Sequence, residues 1–369
     1  MGATDFGALT SAQSRVWASE LTQEGRDQSF WLSNGFVGKN TGDMNRPVQR
    51  ITELTETDRG LECVMQLVAD LAGDGTAGDN ELEGNEEALW NDVQTIRIDQ
   101  LRHGVRSKGE MAEQATVIRF RAQSKTKLSF WLADKTDEML HLTAAGRAFT
   151  LNNNGSARGA SQLTQLNYAS DIVAASSNRI KYAGSATSEA TLTASDTVTW
   201  NLIITAVAYA KRAKVKPIRD GGKEYYALLL TTEQFRDLLQ DSTYQTIVSR
   251  AGGSSSKNPL FKNAVAVVQG VIIYDHNKTF NTLGLASGSR WGSSGTVHGA
   301  QALLLGSQAL GYATIGNSFM KESDNTDYGN RPGIGYGRKT GMLKPQYKTS
   351  VESTTQDFGV VSLKTAAAA

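Results

Sequence analysis

Residues 258–276 read NPLFKNAVAVVQGVIIYDH. Two β-branched runs, separated by Gln269-Gly270, follow a Gly/Ser-rich linker and end on Asp275-His276. Runs of this length and composition, bounded by turn residues, read as buried strands. The terminal pair raises a second reading, because Asp beside His is material for general acid–base catalysis. That reading lacks support elsewhere. His103, His141 and His298 lie in unrelated contexts, and neither a Gly-x-Ser-x-Gly elbow nor an HExxH zinc motif is present. The stretch is therefore expected to supply core strands, with Asp275 and His276 in a strand-end turn facing water.

Working outward, Tyr225 to Leu230 reads as a further strand, followed by helices holding Phe235, Leu238, Leu239, Ile247 and Val248. On the other side, AQALLLGSQALGYA is either a strand followed by a turn or a short helix. Upstream, Ser107-Lys108-Gly109-Glu110 fits a reciprocal capping box. Val117, Phe120, Leu128, Trp131, Met139 and Leu142 then recur at helical spacing up to Gly146. A spine helix over about 108–145 would run roughly 55 Å. A second helix is expected to start from a cap at Ser195 or Asp196. Val198, Leu202, Ala206 and Tyr209 would form its apolar face, with Lys211 and Arg212 complementing its C-terminal dipole. Residues 151–194 show no decisive period.

The formal net charge of +1 hides a strong asymmetry. Between Ile51 and Gln100, thirteen acids face only Arg59 and Arg97. Arg102, Arg106, Lys108, Arg119, Arg121, Lys125 and Lys127 follow, and a second basic cluster runs from Lys211 to Lys223. Such segregation marks contact surfaces. Within the acidic segment, two strand-like arms, 61–67 and 93–98, flank the Gly/Asp-rich tip AGDGTAGDNELEG. An isolated two-stranded ribbon is marginal in water, so this one is expected to find its apolar partner on other copies of the chain.

The single cysteine excludes an internal disulfide, and the acids around Cys63 would raise its pKa. MGATDFGALTSAQSRVW lacks a secretory pattern, and the longest apolar run, 202–210, is too short to span a bilayer. A soluble product assembled in the cytoplasm is expected, with no membrane contact. Asp79-x-Glu81-x-Glu83-Gly84-Asn85 imitates an EF-hand start but has Trp90 at the twelfth position, so a solvated acidic tip is expected instead. Residues 333–340, GIGYGRKT, hint at a phosphate loop but lack its Gly-Lys step; a flexible turn region is expected. The basic clusters lack interleaved stacking aromatics, which argues against sequence-specific nucleic-acid binding. No catalytic residue, cofactor or metal is expected.

The order of these elements resembles the major capsid proteins of tailed double-stranded DNA phages, an α+β Hong Kong 97-type fold. GDNELEGNEEAL followed by VQTIRIDQLRHGV, the opening stretch, AQALLLGSQAL and the closing DFGVV look like the schitovirus-type podophage branch. The resemblance implies an N-terminal arm (1–47), an extended loop (48–106), a peripheral domain with the spine helix (107–216), an axial domain (217–320) and strands returning to the peripheral domain (321–369). It also implies self-assembly into hexamers and pentamers of an icosahedral head, in a virion with portal, scaffolding and decoration partners and weak, non-specific contact with packaged DNA. The expected inter-subunit contacts are Asp74, Asp79, Glu81, Glu83, Glu86 and Glu87 against Arg119, Arg121, Lys125 and Lys127. The alternatives are a compartment shell of the same fold and an α/β enzyme using Asp275 and His276.

Overall fold

The computed structural model describes residues 29–54, 60–68, 74–86, 91–114, 120–159, 161–250, 264–323, 326–348 and 354–367. In chain order, α1 (Phe30–Ser33), β1 (Val48–Ile51), β2 (Glu62–Val68), β3 (Asn91–Arg97) and β4 (Asp99–Arg106) precede α2 (Glu110–Gln114) and α3 (Phe120–Ala145). Then come β5 (Ile180–Tyr182), α4 (Trp200–Arg212), β6 (Ile218–Asp220), β7 (Lys223–Leu230), α5 (Thr232–Gln240) and α6 (Ser242–Arg250). The chain continues through β8 (Ala266–Val268), β9 (Val271–Asp275), β10 (Gly299–Leu305), β11 (Leu310–Ser323) and β12 (Gly333–Leu343). It closes with β13 (Gln346–Tyr347), β14 (Gln356–Asp357) and β15 (Val360–Ala366).

The opening stretch forms β8 and β9, joined by a turn with positive φ at both Gln269 and Gly270. They lie in a seven-stranded sheet of order β5–β15–β10–β7–β9–β8, with β6 paired to β7. Every residue of β10 and β15 is buried, as are the last five of β7. Strands covered on both faces carry continuous apolar runs rather than alternation, and this sheet is covered on both. One face packs on α4 and α5 through Trp200, Ile203, Ala206, Ala210 and Leu238. The other packs on α3 and the N-terminal segment through Met139, Leu140, Leu142 and Trp31. The fold is α+β.

A second sheet has order β1–β11–β12–β4. AQALLLGSQALGYA therefore supplies two strands, β10 and the start of β11, with a tight turn at Ser307-Gln308. Residues 333–340 belong to β12, hydrogen-bonded to β11 on one side and β4 on the other. The flexible turn expected there is corrected: Ile334 and Tyr336 are buried, and Gly337 after them lets neighbouring elements come close. A Cβ on Gly337 would sit 2.8 Å from Phe319 and Leu101 atoms. The closing segment divides, since β12 lies in this sheet and β15 in the seven-stranded one.

The spine helix differs from its expected form at its start. It is described over α2 and over the 26 residues of α3, about 39 Å long, and residues 115–119 between them lie outside the described residues. The capping box at Ser107 does not form. Ser107 Oγ accepts from Gly109 N, while Glu110 N donates to Asn330 Oδ1 from the far end of the β11–β12 hairpin. The stop at Gly146 holds: φ is +66°, and a Cβ there would meet Val173 O at 2.6 Å. α4 is capped by Thr199, not by Ser195 or Asp196. Asp196 instead closes its own turn by accepting from Thr193 N. The buried stripe of α4 is correspondingly Trp200, Ile203, Ala206 and Ala210. Residues 29–47 lie in the body, with Trp31 and Phe36 fully buried.

Asp357 ties the elements together at the closing strand. It accepts from Ser176 N at 3.2 Å, Ser176 Oγ at 2.9 Å, Gln346 Nε2 at 3.0 Å and the wholly buried Lys344 Nζ at 3.0 Å. Breaking one side of such a pair strands a charge in low dielectric. Asp357→Ala is expected to cost about 3–5 kcal/mol in urea unfolding. Adding Lys344→Met to Asp357→Asn should recover part of the loss suffered by Asp357→Asn alone, because no lone charge remains.

Candidate assembly surfaces

β2 and β3 pair antiparallel from Glu62↔Arg97 to Val68↔Asn91, as the alternation in the acidic segment predicts. One face is apolar and buried: Cys63, Met65, Leu67, Ile96 and Ile98 pack on Ile51, Ala313, Ile315, Leu343, Tyr347 and Phe358. Fit depends on two glycines in the sheet below. A Cβ on Gly311 would sit 2.6 Å from Ile96 Cδ1, and one on Gly341 would sit 2.2 Å from Arg97 O. The expectation that this face needs other copies is thereby overturned; its partner is the chain's own four-stranded sheet. Burial of Cys63, together with Glu53, raises the thiol pKa.

The outer face is different. Val64 and Val93 are exposed among Glu62, Gln66, Thr95 and Arg97. Beyond it, Asp74, Asp79, Glu81, Glu83 and Glu86 are all exposed, and Leu82 is 58% exposed among them. Glu87 and Trp90 lie outside the described residues. Among the described residues, the expected basic partners are not brought to this tip. Lys127 is exposed and sits 5.7 Å above the Phe130 ring, and Lys125 is half-buried. Arg119 and the side chain of Arg121 lie outside the description. Among the described residues, no ion pair joins the acidic set to the basic one. Nor do three or more His, Cys, Asp or Glu side chains converge as metal ligands.

Asp275 and His276 do not face water as a pair. His276 turns inward and stacks on His141 at 4.9 Å with a 9° interplanar angle, and on Phe30 at 4.3 Å. No sequence signal marks this, because His141 lies on α3 and Phe30 on α1. Trp31 Nε1, which can only donate, reaches His141 Nδ1 at 2.9 Å. The Asp137 carbonyl oxygen, an acceptor only, lies 2.7 Å from the same nitrogen, and Nε2 is buried with no partner among the described residues. Asp137 anchors the same segment, accepting from Ser29 Oγ at 2.5 Å and Phe30 N at 2.6 Å. Burial pushes the Asp137 carboxyl up to about 6 and, with the Lys278 ammonium, pushes His276 down to about 4. Burial also holds His141 well below its ordinary value. An imidazole so reluctant to take a proton is a poor base near neutrality. The cluster borders an open groove of about 540 Å³ lined in part by Lys127, Phe130, Asp134 and Lys278.

The family described as "Phage capsid protein" matches residues 4–369. The chain is 37% identical over 375 residues to the "Major capsid protein" of Pseudomonas phage KPP25, covering 99% of this chain and 98% of that one. It is similar to the capsid structure of Ralstonia phage GP4, with a TM-score of 0.79, 25% identity, and 93% and 92% of the two chains covered. It shares its fold with the capsid asymmetric unit of cyanophage Pam1, at a TM-score of 0.67, 19% identity, and 99% and 100% coverage.

The histidine cluster makes stability depend on pH. His276 and His141 bind protons less readily folded than unfolded, so their contribution is full above about pH 6.5 and is lost as pH falls toward 4. Asp137, raised, works in the opposite direction between about 6 and 3.8. His276→Phe keeps the stack and removes one titration. It should lessen the loss of stability between pH 7.5 and pH 4.5 by about 1–2 kcal/mol, read from urea unfolding at both values.

Proposed function

The chain belongs to the phage capsid protein family and is a major capsid protein, and from that premise we propose that its copies join through the β2–β3 hairpin into hexamers and pentamers of an icosahedral head. It is a virion component and acts as a homo-oligomer. The observation that carries the proposal is the hairpin: seated on its own sheet by its apolar face, it carries an acidic tip with no basic partner among the described residues and an outer face with exposed Val64 and Val93. A preformed projection lowers the ordering cost of each contact. Repetition around closed symmetry then turns weak contacts into a stable lattice.

In this reading the hairpin lies across the neighbouring peripheral domain, with Asp74, Asp79, Glu81, Glu83, Glu86 and Glu87 facing Arg119, Arg121, Lys125 and Lys127. Exposed ion pairs contribute about 0–1 kcal/mol each, so they set register and salt sensitivity more than total stability. The divisions at residues 47, 106, 216 and 320 delimit arm, loop, peripheral domain, axial domain and return segment, with α4 and β15 supporting the axial sheet. Portal and scaffolding proteins, a decoration protein, and loose contact with double-stranded DNA complete the proposed partners. The chain's role is structural rather than catalytic, since the Asp275–His276 turn is built as packing.

Electron microscopy of the expressed protein tests this reading directly, and closed shells are the expected result. Deleting residues 74–83 should leave the paired arms and the subunit's melting temperature within a few degrees of wild type, while closed shells become rare. Shells of wild-type number and diameter from that deletion would defeat the assigned role of the tip.

A further inference from the structure

We propose that Arg338, Tyr312 and Ser318 form a buried site for a small inorganic anion, chloride being the simplest, between the four-stranded sheet and α3.

β12 lies between β11 and β4, and alternate residues of it face the spine helix. Ile334 and Tyr336 pack with Leu128 and Leu132, and Thr340 Oγ1 lies 3.5 Å from Tyr168 Oη. Arg338 stands between Tyr336 and Thr340 on that face. It is 6% exposed, yet no hydrogen bond or ion pair joins it to a described residue, and its Nε is enclosed without an acceptor. Its guanidinium carbon lies 5.8 Å from the centre of the Tyr312 ring. Such a cation–π contact offsets part of the burial cost but leaves the N–H donors unused. Arginine does not shed its proton inside proteins, so the charge persists and calls for a counter-charge.

The strand ladder is interrupted opposite this residue. Ile315 pairs with Lys339 and Phe319 with Gly337, so Gly316, Asn317 and Ser318 bulge against Arg338 alone. Gly316 has φ +58°, the left-handed conformation that lets the backbone turn there. Bulges re-aim side chains. Ser318 Oγ and Tyr312 Oη are both buried with no partner among the described residues. Arg50 pairs with Tyr312 across β1 and β11 and reaches Thr314 Oγ1 at 3.4 Å, which brings a second guanidinium to the same face.

The carboxylates closest in register are engaged or distant. Asp99, opposite Thr340, accepts from Gln100 N at 2.7 Å and Asn167 N at 2.9 Å. Glu322 lies opposite Ile334, further along the hairpin. One charged donor and two hydroxyl donors suit a compact anion, which accepts from several directions at once. A water molecule would accept from two of them and leave the charge uncompensated. Held there, the anion would join β11 to β12 across the break in their ladder.

Full-length protein melted by circular dichroism tests the site, with sodium chloride exchanged for sodium gluconate at fixed ionic strength. Raising chloride from about 10 mM to about 300 mM should lift the midpoint by about 2–4 °C. Arg338→Met, which keeps the aliphatic bulk without the donors, should abolish that dependence. Should the methionine variant fail to fold, Tyr312→Phe and Ser318→Ala each remove one hydroxyl. Both should move the chloride dependence to roughly fivefold higher concentration. Crystals grown in bromide give a direct reading, with an anomalous peak expected within hydrogen-bond reach of Arg338, Tyr312 and Ser318. A wild-type midpoint indifferent to chloride, or a dependence that survives in Arg338→Met, overturns the proposal. So do hydroxyl variants that titrate like wild type, or bromide absent from that place.

Discussion

Ile96 and Met65 lie directly on Gly311, and the carbonyl of Arg97 lies against Gly341. At these two points the hairpin and the four-stranded sheet come closer than any side chain would allow. Fully burying each of Met65, Leu67, Ile96 and Ile98 contributes about 1.5–3 kcal/mol gross. That is enough to hold in place a two-stranded ribbon that would be marginal alone. The direction in which the acidic tip leaves the body follows from this contact. So does the exposure of the hairpin's other face.

The body behind the hairpin is stiffened by buried polar clamps as well as by apolar packing. Gln301 donates to Ala145 O and Ser362 Oγ, joining α3 to β10 and β15. Gln234 reaches Ala300 O and Thr365 Oγ1, fastening α5 to the same strands. Arg179, fully buried, donates to Asp357 O beside the Lys344–Asp357 pair. Such networks rigidify when their members are satisfied.

The Asp137–His141–His276 cluster serves the N-terminal segment in the same way. Two residues that would draw attention as chemistry are instead stacked aromatic surface, with Phe30 and Trp31 packed on them. Their pKa values are shifted because they are buried, not because they act. Perturbed titration marks structural packing as readily as it marks catalysis.

Much was legible in the residues themselves. Period-two alternation exposed the hairpin arms and their pairing, and unbroken β-branched runs exposed the strands of the buried sheet. The acidic segment was equally plain, since thirteen acids against two arginines between Ile51 and Gln100 need no coordinates to be recognised. Contacts between residues far apart in sequence were hidden. Asn330 caps a helix 220 positions away, Thr199 displaced the nearer capping candidates, and glycine-rich 333–340 became a central strand because β4 and β11 flank it. The hairpin's destination was hidden for the same reason. Alternation determines that a strand has an apolar face, but which surface receives that face depends on where the glycines of β11 and β12 arrive in three dimensions.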